Sequence, residues 1–317
     1  MSHRSDSFKE IISNAKSSIK ELLEINDSYE ILFSTGGATQ QFSMIPMNIF
    51  KEGKKANYII SGIWADKAAK EASKYGEVHI ASSSKDKGFK TLPINHDLVK
   101  DCSYTHFCSN NTIYGTQFKS EPEGENLVCD ASSDFLHKKI DVNKYALIYA
   151  GAQKNIGPAG ATIIIIKKEL LKRSKKNLPL LLNYNTLVEK DSMHNTPPTF
   201  IIYVISKVLD WIKSKGGLEK IEENNIKKAD ILYEAIDNSE IYIPFADKSC
   251  RSLMNVTFNL KEKDLEKKFI EQATKAGFDK LKGHRITGGI RASIYNSFPI
   301  KGIEELSKFM KEFETKV

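Results

Sequence analysis

The sequence predicts an α/β fold with a largely parallel sheet. Strand, glycine turn, helix, strand, helix, strand is the order in which apolar runs and amphipathic stretches follow one another. The apolar runs are short and bounded by glycine or polar turns, as buried strands are. The residues with the most chemistry, among them Thr39, Trp64, Asp130 and Lys154, fall at or just past the ends of those runs. Open α/β sheets bind their ligands at that edge.

Residues 7–25 read as an amphipathic helix. Ser7 and Glu10 form a capping-box pair, and Phe8, Ile11, Ile12, Ala15, Ile19, Leu22 and Leu23 line one face. A strand over 29–34 then runs into Thr35-Gly36-Gly37-Ala38-Thr39-Gln40, with a helix over 41–50. Strand, glycine turn, hydroxyl and helix is the layout of a phosphate cradle, with backbone N–H groups facing an anion. A capped turn with no ligand is the alternative.

Strands follow at 56–61, 78–81, 104–108 and 127–129. Trp64 stands after the first of these, where a helix is expected from Asp66; it either packs or covers a flat ring. Ser109-Asn110-Asn111-Thr112 is a polar turn. Asp130 ends a core strand, where a carboxylate is costly unless paired. A protonated pyridine nitrogen would be such a partner, and a helix N-cap is the other reading.

Tyr149-Ala150-Gly151-Ala152-Gln153-Lys154-Asn155-Ile156-Gly157-Pro158-Ala159-Gly160 sets one lysine in a collar of small residues between two apolar runs. The small neighbours admit a bulky group close to the turn. An amine held there, partly desolvated and with a lowered pKa, suits covalent attachment of an aldehyde cofactor.

Beyond it, helix is expected over 169–175, irregular chain over 179–191, and a long helix over 199–215 entered through Pro197-Pro198. Gly216-Gly217 ends that helix, and the domain boundary is placed there: a large domain, 1–215, and a small α+β domain, 216–317. The latter should contain helices 218–236, 263–276 and 303–313. It should also contain a strand at 254–259 and two short strands around Gly288-Gly289, with Arg285 and Arg291 at strand ends.

Composition narrows the function. The 317 residues carry a formal net charge of +7, which favours anionic ligands. The lysines are spread over helix faces among glutamates, which argues against nucleic acid. No run approaches a membrane span. Cys102, Cys108, Cys129 and Cys250 show no metal or redox spacing, which points to a reducing cytoplasm. Arginine is confined to positions 4, 173, 251, 285 and 291, as expected of a chain that reserves it for bidentate anion contacts.

These blocks converge on a known family. Ala150 to Gly160, Asn195-Thr196-Pro197-Pro198-Thr199-Phe200, Lys282-Gly283-His284-Arg285, Arg291-Ala292-Ser293-Ile294-Tyr295-Asn296 and Ser2-His3-Arg4 resemble the motifs of the phosphoserine aminotransferases. These are fold-type I enzymes dependent on pyridoxal 5'-phosphate, and the likeness runs the length of the chain.

The resemblance implies roles. Lys154 would hold the cofactor covalently and shuttle a proton, Trp64 would stack on its ring, and Asp130 would pair with the ring nitrogen. Thr112 would sit by the ring hydroxyl. Ala38, Thr39 and Gln153 would hold the phosphate, joined by Asn195 and Thr196 of a partner subunit. His3, Arg4 and Arg291 would bind substrate, together with His284 and Arg285 from the partner, so a homodimer is implied. The implied substrates are L-glutamate, 3-phosphohydroxypyruvate and O-phosphoserine, with no nucleic acid or membrane partner.

Two departures from the family are visible. Ala38-Thr39 stands where some members have Gly-Arg. Members also carry several tens of residues before Ser-His-Arg, whereas this chain has Met1. A folded dimer with weakened cofactor retention and poor turnover is the corresponding expectation. The alternatives are another class V enzyme, such as an alanine–glyoxylate aminotransferase or a cysteine desulfurase, or a folded non-catalytic dimer. A desulfurase needs a mobile nucleophilic cysteine, and no cysteine lies in a glycine- and serine-rich loop.

Overall fold

In a computed structural model of the chain, residues 2–175 and 177–317 are described. The fold opens with α1 (Asp6–Leu22), β1 (Tyr29–Thr35), α2 (Gln41–Ile49), β2 (Ala56–Ile60), α3 (Ile63–Ala72), β3 (Val78–Ser83) and β4 (Thr105–Cys108). A two-residue ladder, β5 (Asn110–Asn111) with β6 (Thr116–Gln117), precedes β7 (Leu127–Asp130), β8 (Tyr145–Gly151) and β9 (Ala161–Lys167). Next come α4 (Lys168–Leu171), α5 (Tyr184–Glu189), α6 (Thr199–Ser214) and α7 (Gly217–Asp237). The chain closes with β10 (Tyr242–Pro244), β11 (Asn255–Leu260), α8 (Lys263–Lys275), β12 (Ile290–Ser293) and α9 (Ile300–Glu314).

Seven strands form one sheet in the order β1-β9-β8-β7-β4-β2-β3. Strands β8, β7, β4, β2 and β3 are parallel, whereas β9 runs antiparallel to both its neighbours. The sheet is covered on both faces, and β9 shows how. Its Ile163 and Ile165 join a core with Phe8, Ile12 and Ile205 from α1 and α6. Its Ile164 and Ile166 join a second core with Phe42, Ile45 and Ala65 from α2 and α3. Side chains two apart share a face, so one apolar run feeds two cores.

A separate three-stranded antiparallel sheet, β10-β11-β12, packs with α7, α8 and α9 around a third core that includes Phe258, Phe269 and Phe313. Helix α7 belongs to two cores. Leu218 and Ile221 are buried with the large sheet, whereas Ala229, Leu232 and Ile236 are buried with the small one.

The local differences from expectation have physical causes. Helix α1 is capped by Ser5 rather than Ser7: the Ser5 hydroxyl accepts from the Phe8 N–H at 3.3 Å, and Asp6 falls in the first turn, where the helix dipole favours it. Residues 179–191 are not irregular throughout. A 3₁₀ turn over Leu180–Leu182 leads to α5, which Asn183 caps by accepting from Asn185 N at 2.9 Å. Strand β10 is too short for alternation to reveal, and Pro244 is tolerated because it lies on a sheet edge. Of the two strands expected around Gly288-Gly289, β12 forms, while Lys282 makes only an isolated bridge to Ile290.

Candidate active site

The turn between β8 and β9 is where the site is built. Ala152 accepts from both Ile156 N and Gly157 N, winding the chain into one tight loop. This loop is tied to the β1 end: Gly36 N donates to Gly160 O at 2.9 Å, and Thr162 Oγ1 donates to Gly36 O at 2.9 Å. Gly36 and Gly160 adopt φ of 103° and 120°, where a side chain is strained, so glycine at both positions lets the two loops meet.

Lys154 projects from this loop and its Nζ donates to Thr112 Oγ1 at 2.7 Å. Burial holds its amine below the ordinary lysine range, against the pull of the Asp130 carboxylate. Thr112 is held in turn by the β5–β6 ladder. Asn111 Nδ2 donates to Ser61 Oγ and Thr116 Oγ1, and Asn110 Nδ2 donates to Ser133 Oγ.

Asp130 ends β7 and is 8% exposed. Its Oδ1 accepts from Ser132 N at 3.0 Å, so it caps the following turn. Burial raises its pKa, opposed by the Ser132 contact and the nearby Lys154 charge. Ser132 also joins the two loops, because its Oγ accepts from Gly151 N at 3.1 Å.

Lys154, Asp130, Thr112, Trp64, Ala38, Thr39 and Gln153 all line one cleft. Helix α3 begins at Ile63, three residues earlier than expected, which sets Trp64 in its first turn rather than on a strand end. Gly62 precedes it, and a Cβ there would come within 2.3 Å of Asn111 Oδ1, so the glycine lets the helix start pack closely against Asn111. Trp64 Nε1 is buried without a hydrogen-bond partner. The loop after β1 enters α2 through a 3₁₀ turn over Ala38–Gln40, with Gly37 at its start and no side-chain cap.

Phe42, Cys108, Ser132 and Ser133, which no site reading of the sequence includes, also line the cleft, with Gly37 of the glycine turn and Asn110 of the polar turn. The usable signal was polar residues directly after buried strands, Ser132-Ser133 behind Asp130 above all.

Other candidates lie outside this lining. Arg291 stands on β12 with its Nε buried and unpartnered, near enough for its charge to disfavour the Lys154 ammonium. His284 is half-buried, and burial first, then the charges of Arg291, Arg285 and Lys67, lower its pKa. Arg285 is exposed. His3 is half-buried and Arg4 exposed, in a turn closed by Ser5 N donating to Ser2 O at 3.1 Å. Asn195 and Thr196 are exposed, and Asn195 lines a different cleft with Thr35 and Gln40. One chain therefore brings Lys154, Asp130, Thr112, Trp64, Ala38, Thr39 and Gln153 into one cleft, but none of His3, Arg4, Asn195, Thr196, His284, Arg285 and Arg291. Among the described residues no helix is long and apolar enough to cross a membrane, and all four cysteines are buried free thiols.

Comparison with known proteins gives the same picture from outside. The family model described as aminotransferase class-V matches residues 1–306. The phosphoserine aminotransferase of Desulfotalea psychrophila is 50% identical over 316 residues, covering 99% of this chain and 88% of that protein. That of Geobacillus kaustophilus is 48% identical, with 99% and 88% covered. The solved phosphoserine aminotransferase of Bacillus circulans subsp. alkalophilus superposes with a TM-score of 0.97 at 44% identity, covering 100% of this chain and 89% of that one. The PLP-bound phosphoserine aminotransferase of Trichomonas vaginalis gives a TM-score of 0.91 at 34% identity, with 98% and 90% covered. A seven-stranded sheet carrying a buried lysine on its β8–β9 turn, matched at this identity over nearly its whole length, belongs to the class V aminotransferases of fold type I and, within them, to the phosphoserine aminotransferase family.

Proposed function

We propose that this chain moves an amino group from L-glutamate to 3-phosphohydroxypyruvate, giving O-phospho-L-serine and 2-oxoglutarate, with pyridoxal 5'-phosphate as cofactor. The observation that carries the reading is the pairing of a desolvated amine, Lys154, with a buried carboxylate, Asp130, in one cleft.

The residues fit the cofactor. Trp64 Nε1 is buried with no partner, a cost that a bound polar group would relieve. A Cβ built at Gly37 meets nothing within 4 Å, so the cradle loop borders open space. Lys154 would hold the group, Trp64 would cover the ring, and Asp130 would face the ring nitrogen. Thr112 would stand by the ring hydroxyl, and Ala38, Thr39 and Gln153 would take the phosphate. When bound, pyridoxal phosphate supplies a conjugated ring that accepts the electron pair of a broken C–H bond.

The chain's own residues do the rest. Lys154 Nζ, with its pKa lowered, is the base that takes up and returns the substrate's α-proton. The Thr112 hydroxyl fixes where that nitrogen points. Arg291, with an unpartnered buried Nε, is set to grip a carboxylate or phosphate of the substrate. His3 and Arg4 would complete the anion site. We assign Asn195, Thr196, His284 and Arg285 to the neighbouring site of a homodimer; the exposure of Asn195, Thr196 and Arg285 supports that assignment. The separate third core supports a division into two domains, with Leu218 and Ile221 beyond Gly216-Gly217 still buried in the large one. Buried, unpaired cysteines suit a cytoplasmic enzyme.

The test is direct. The purified chain, supplied with pyridoxal phosphate and glutamate, should form O-phosphoserine from the phosphorylated keto acid and show an absorbance band that borohydride bleaches. Equal rates with pyruvate would reject the substrate assignment.

A further inference from the structure

A buried lysine that the proposed chemistry does not use stands behind the site. Lys228, on α7, is 2% exposed. Its Nζ donates to three successive backbone carbonyls, Ile294 at 3.0 Å, Tyr295 at 2.7 Å and Asn296 at 3.4 Å. Among the described residues no carboxylate pairs with it. Three residues earlier on the same helix face, Asn225 Nδ2 donates to Asn296 Oδ1 at 2.8 Å, while its own Oδ1 is buried and unpartnered.

A lone buried ammonium and an orphaned amide oxygen are costly ways to fill a core, where an apolar side chain of similar size would serve. What they hold is the segment directly after β12, the strand that carries Arg291. That segment reaches the other functional loop. Asn296 N donates to Asn155 Oδ1 at 2.9 Å, and Asn155 is the residue next to Lys154. Asn296 Nδ2 donates to Leu136 O at 2.8 Å and Asn155 Nδ2 to Phe135 O at 3.0 Å, so both amides lock onto the chain that follows Asp130.

We propose that Lys228 is a positioning residue: through the carbonyls of 294–296 and the Asn296–Asn155 hydrogen bond it sets the place of Arg291 relative to the Lys154 amine. The role in turnover rests on the aminotransfer reading above; the coupling between α7 and the Lys154 loop does not. Arg291 and Lys154 come from different sheets and are separated by 130 residues or more of chain. A substrate gripped by one and deprotonated by the other needs their spacing held, because misplacement by about 1 Å costs roughly 10²-fold in rate.

The experiment compares Lys228→Met, Lys228→Arg and Asn155→Ala with Leu232→Ala, which opens a core cavity on the same helix but removes none of the hydrogen bonds to 294–296. Amide hydrogen exchange of residues 151–157 is read in each full-length chain. Lys228→Met and Asn155→Ala should speed exchange there by about tenfold. Lys228→Arg should restore part of the protection, and Leu232→Ala should leave it near the parent value. In the cofactor-loaded protein the same two variants should lower kcat/KM for the phosphorylated keto acid by roughly 10²-fold. Combining Lys228→Met with Arg291→Ala should add little to Arg291→Ala alone.

Unchanged exchange over 151–157 in Lys228→Met, or an equal rise in Leu232→Ala, overturns the proposal. If Lys228→Met does not fold, Asn155→Ala decides by the same reading. A parent chain that does not aminate the phosphorylated keto acid would count against the functional reading, while the exchange comparison still decides the coupling.

Discussion

Lys154 Nζ donates to Thr112 Oγ1 at 2.7 Å, which ties the turn between β8 and β9 to the small β5–β6 ladder. The amine is thus aimed before any ligand arrives. Preorganisation of this kind is what a covalently attached cofactor and a proton carrier both need.

Replacing that amine should separate folding from chemistry. Lys154→Ala should keep its secondary structure, because the position lies in a turn and not in a strand. It should lose borohydride-fixable pyridoxal phosphate and essentially all turnover. Peptide mapping after reduction of the parent chain should place the label on the peptide containing Lys154. A label on any other lysine would end the assignment.

Asp130→Asn is nearly isosteric and keeps an oxygen for the Ser132 N–H. It removes the only charge expected to face the ring nitrogen. Bound cofactor should remain, with a shifted absorbance maximum, while turnover falls on the order of 10²–10³-fold, as when a preorganised electrostatic contact is lost. Turnover within a factor of about two of the parent would mean that Asp130 serves only as a cap.

Arg291→Lys tests geometry rather than charge. The guanidinium can fork onto two oxygens, whereas an ammonium cannot. Loss of one such contact should cost about 2–5 kcal/mol in kcat/KM for the phosphorylated keto acid. Full activity in the lysine variant would show that charge alone suffices.

The pH dependence of stability carries a signature of Lys228. Burial lowers its pKa from the ordinary 10.5 to about 8. Between those two values the unfolded chain binds more protons than the folded one, so this residue makes stability rise with pH across that window. Other groups titrate there too, so the measurement is the difference between the parent and Lys228→Met in urea midpoint. That difference should grow in favour of the parent from about pH 8 to about pH 10. A constant difference would contradict a buried, depressed lysine.

Much of this was legible in the chain, because strand ends announce themselves locally. Asp130 follows a buried apolar run, and Lys154 is ringed by glycine and alanine. Both signals need only a few neighbouring residues. The close packing of Gly62 against Asn111 at the start of α3 was not legible, since the two are far apart in sequence. Nor was the Ser5 cap distinguishable from Ser7, because both are serines ahead of the same apolar face. Lys228 looked like one more surface lysine on an amphipathic helix. Its burial depends on the carbonyls of 294–296 folding over it, and nothing near it in sequence reports that.

Helix α7 has a mechanical consequence. Gly216 and Gly217, with φ of 95° and 80°, would be the natural pivot between the two sheets. Yet Leu218 and Ile221, immediately beyond them, are sealed into the large core. Swinging the helix at the glycine pair would expose both, at about 1.5–3 kcal/mol each. A relative rotation of the two sheets would therefore load α7 between Ile221 and Ala229, the span that holds Asn225 and Lys228. The helix is a beam clamped at both ends, with the buried amide and ammonium at its midpoint.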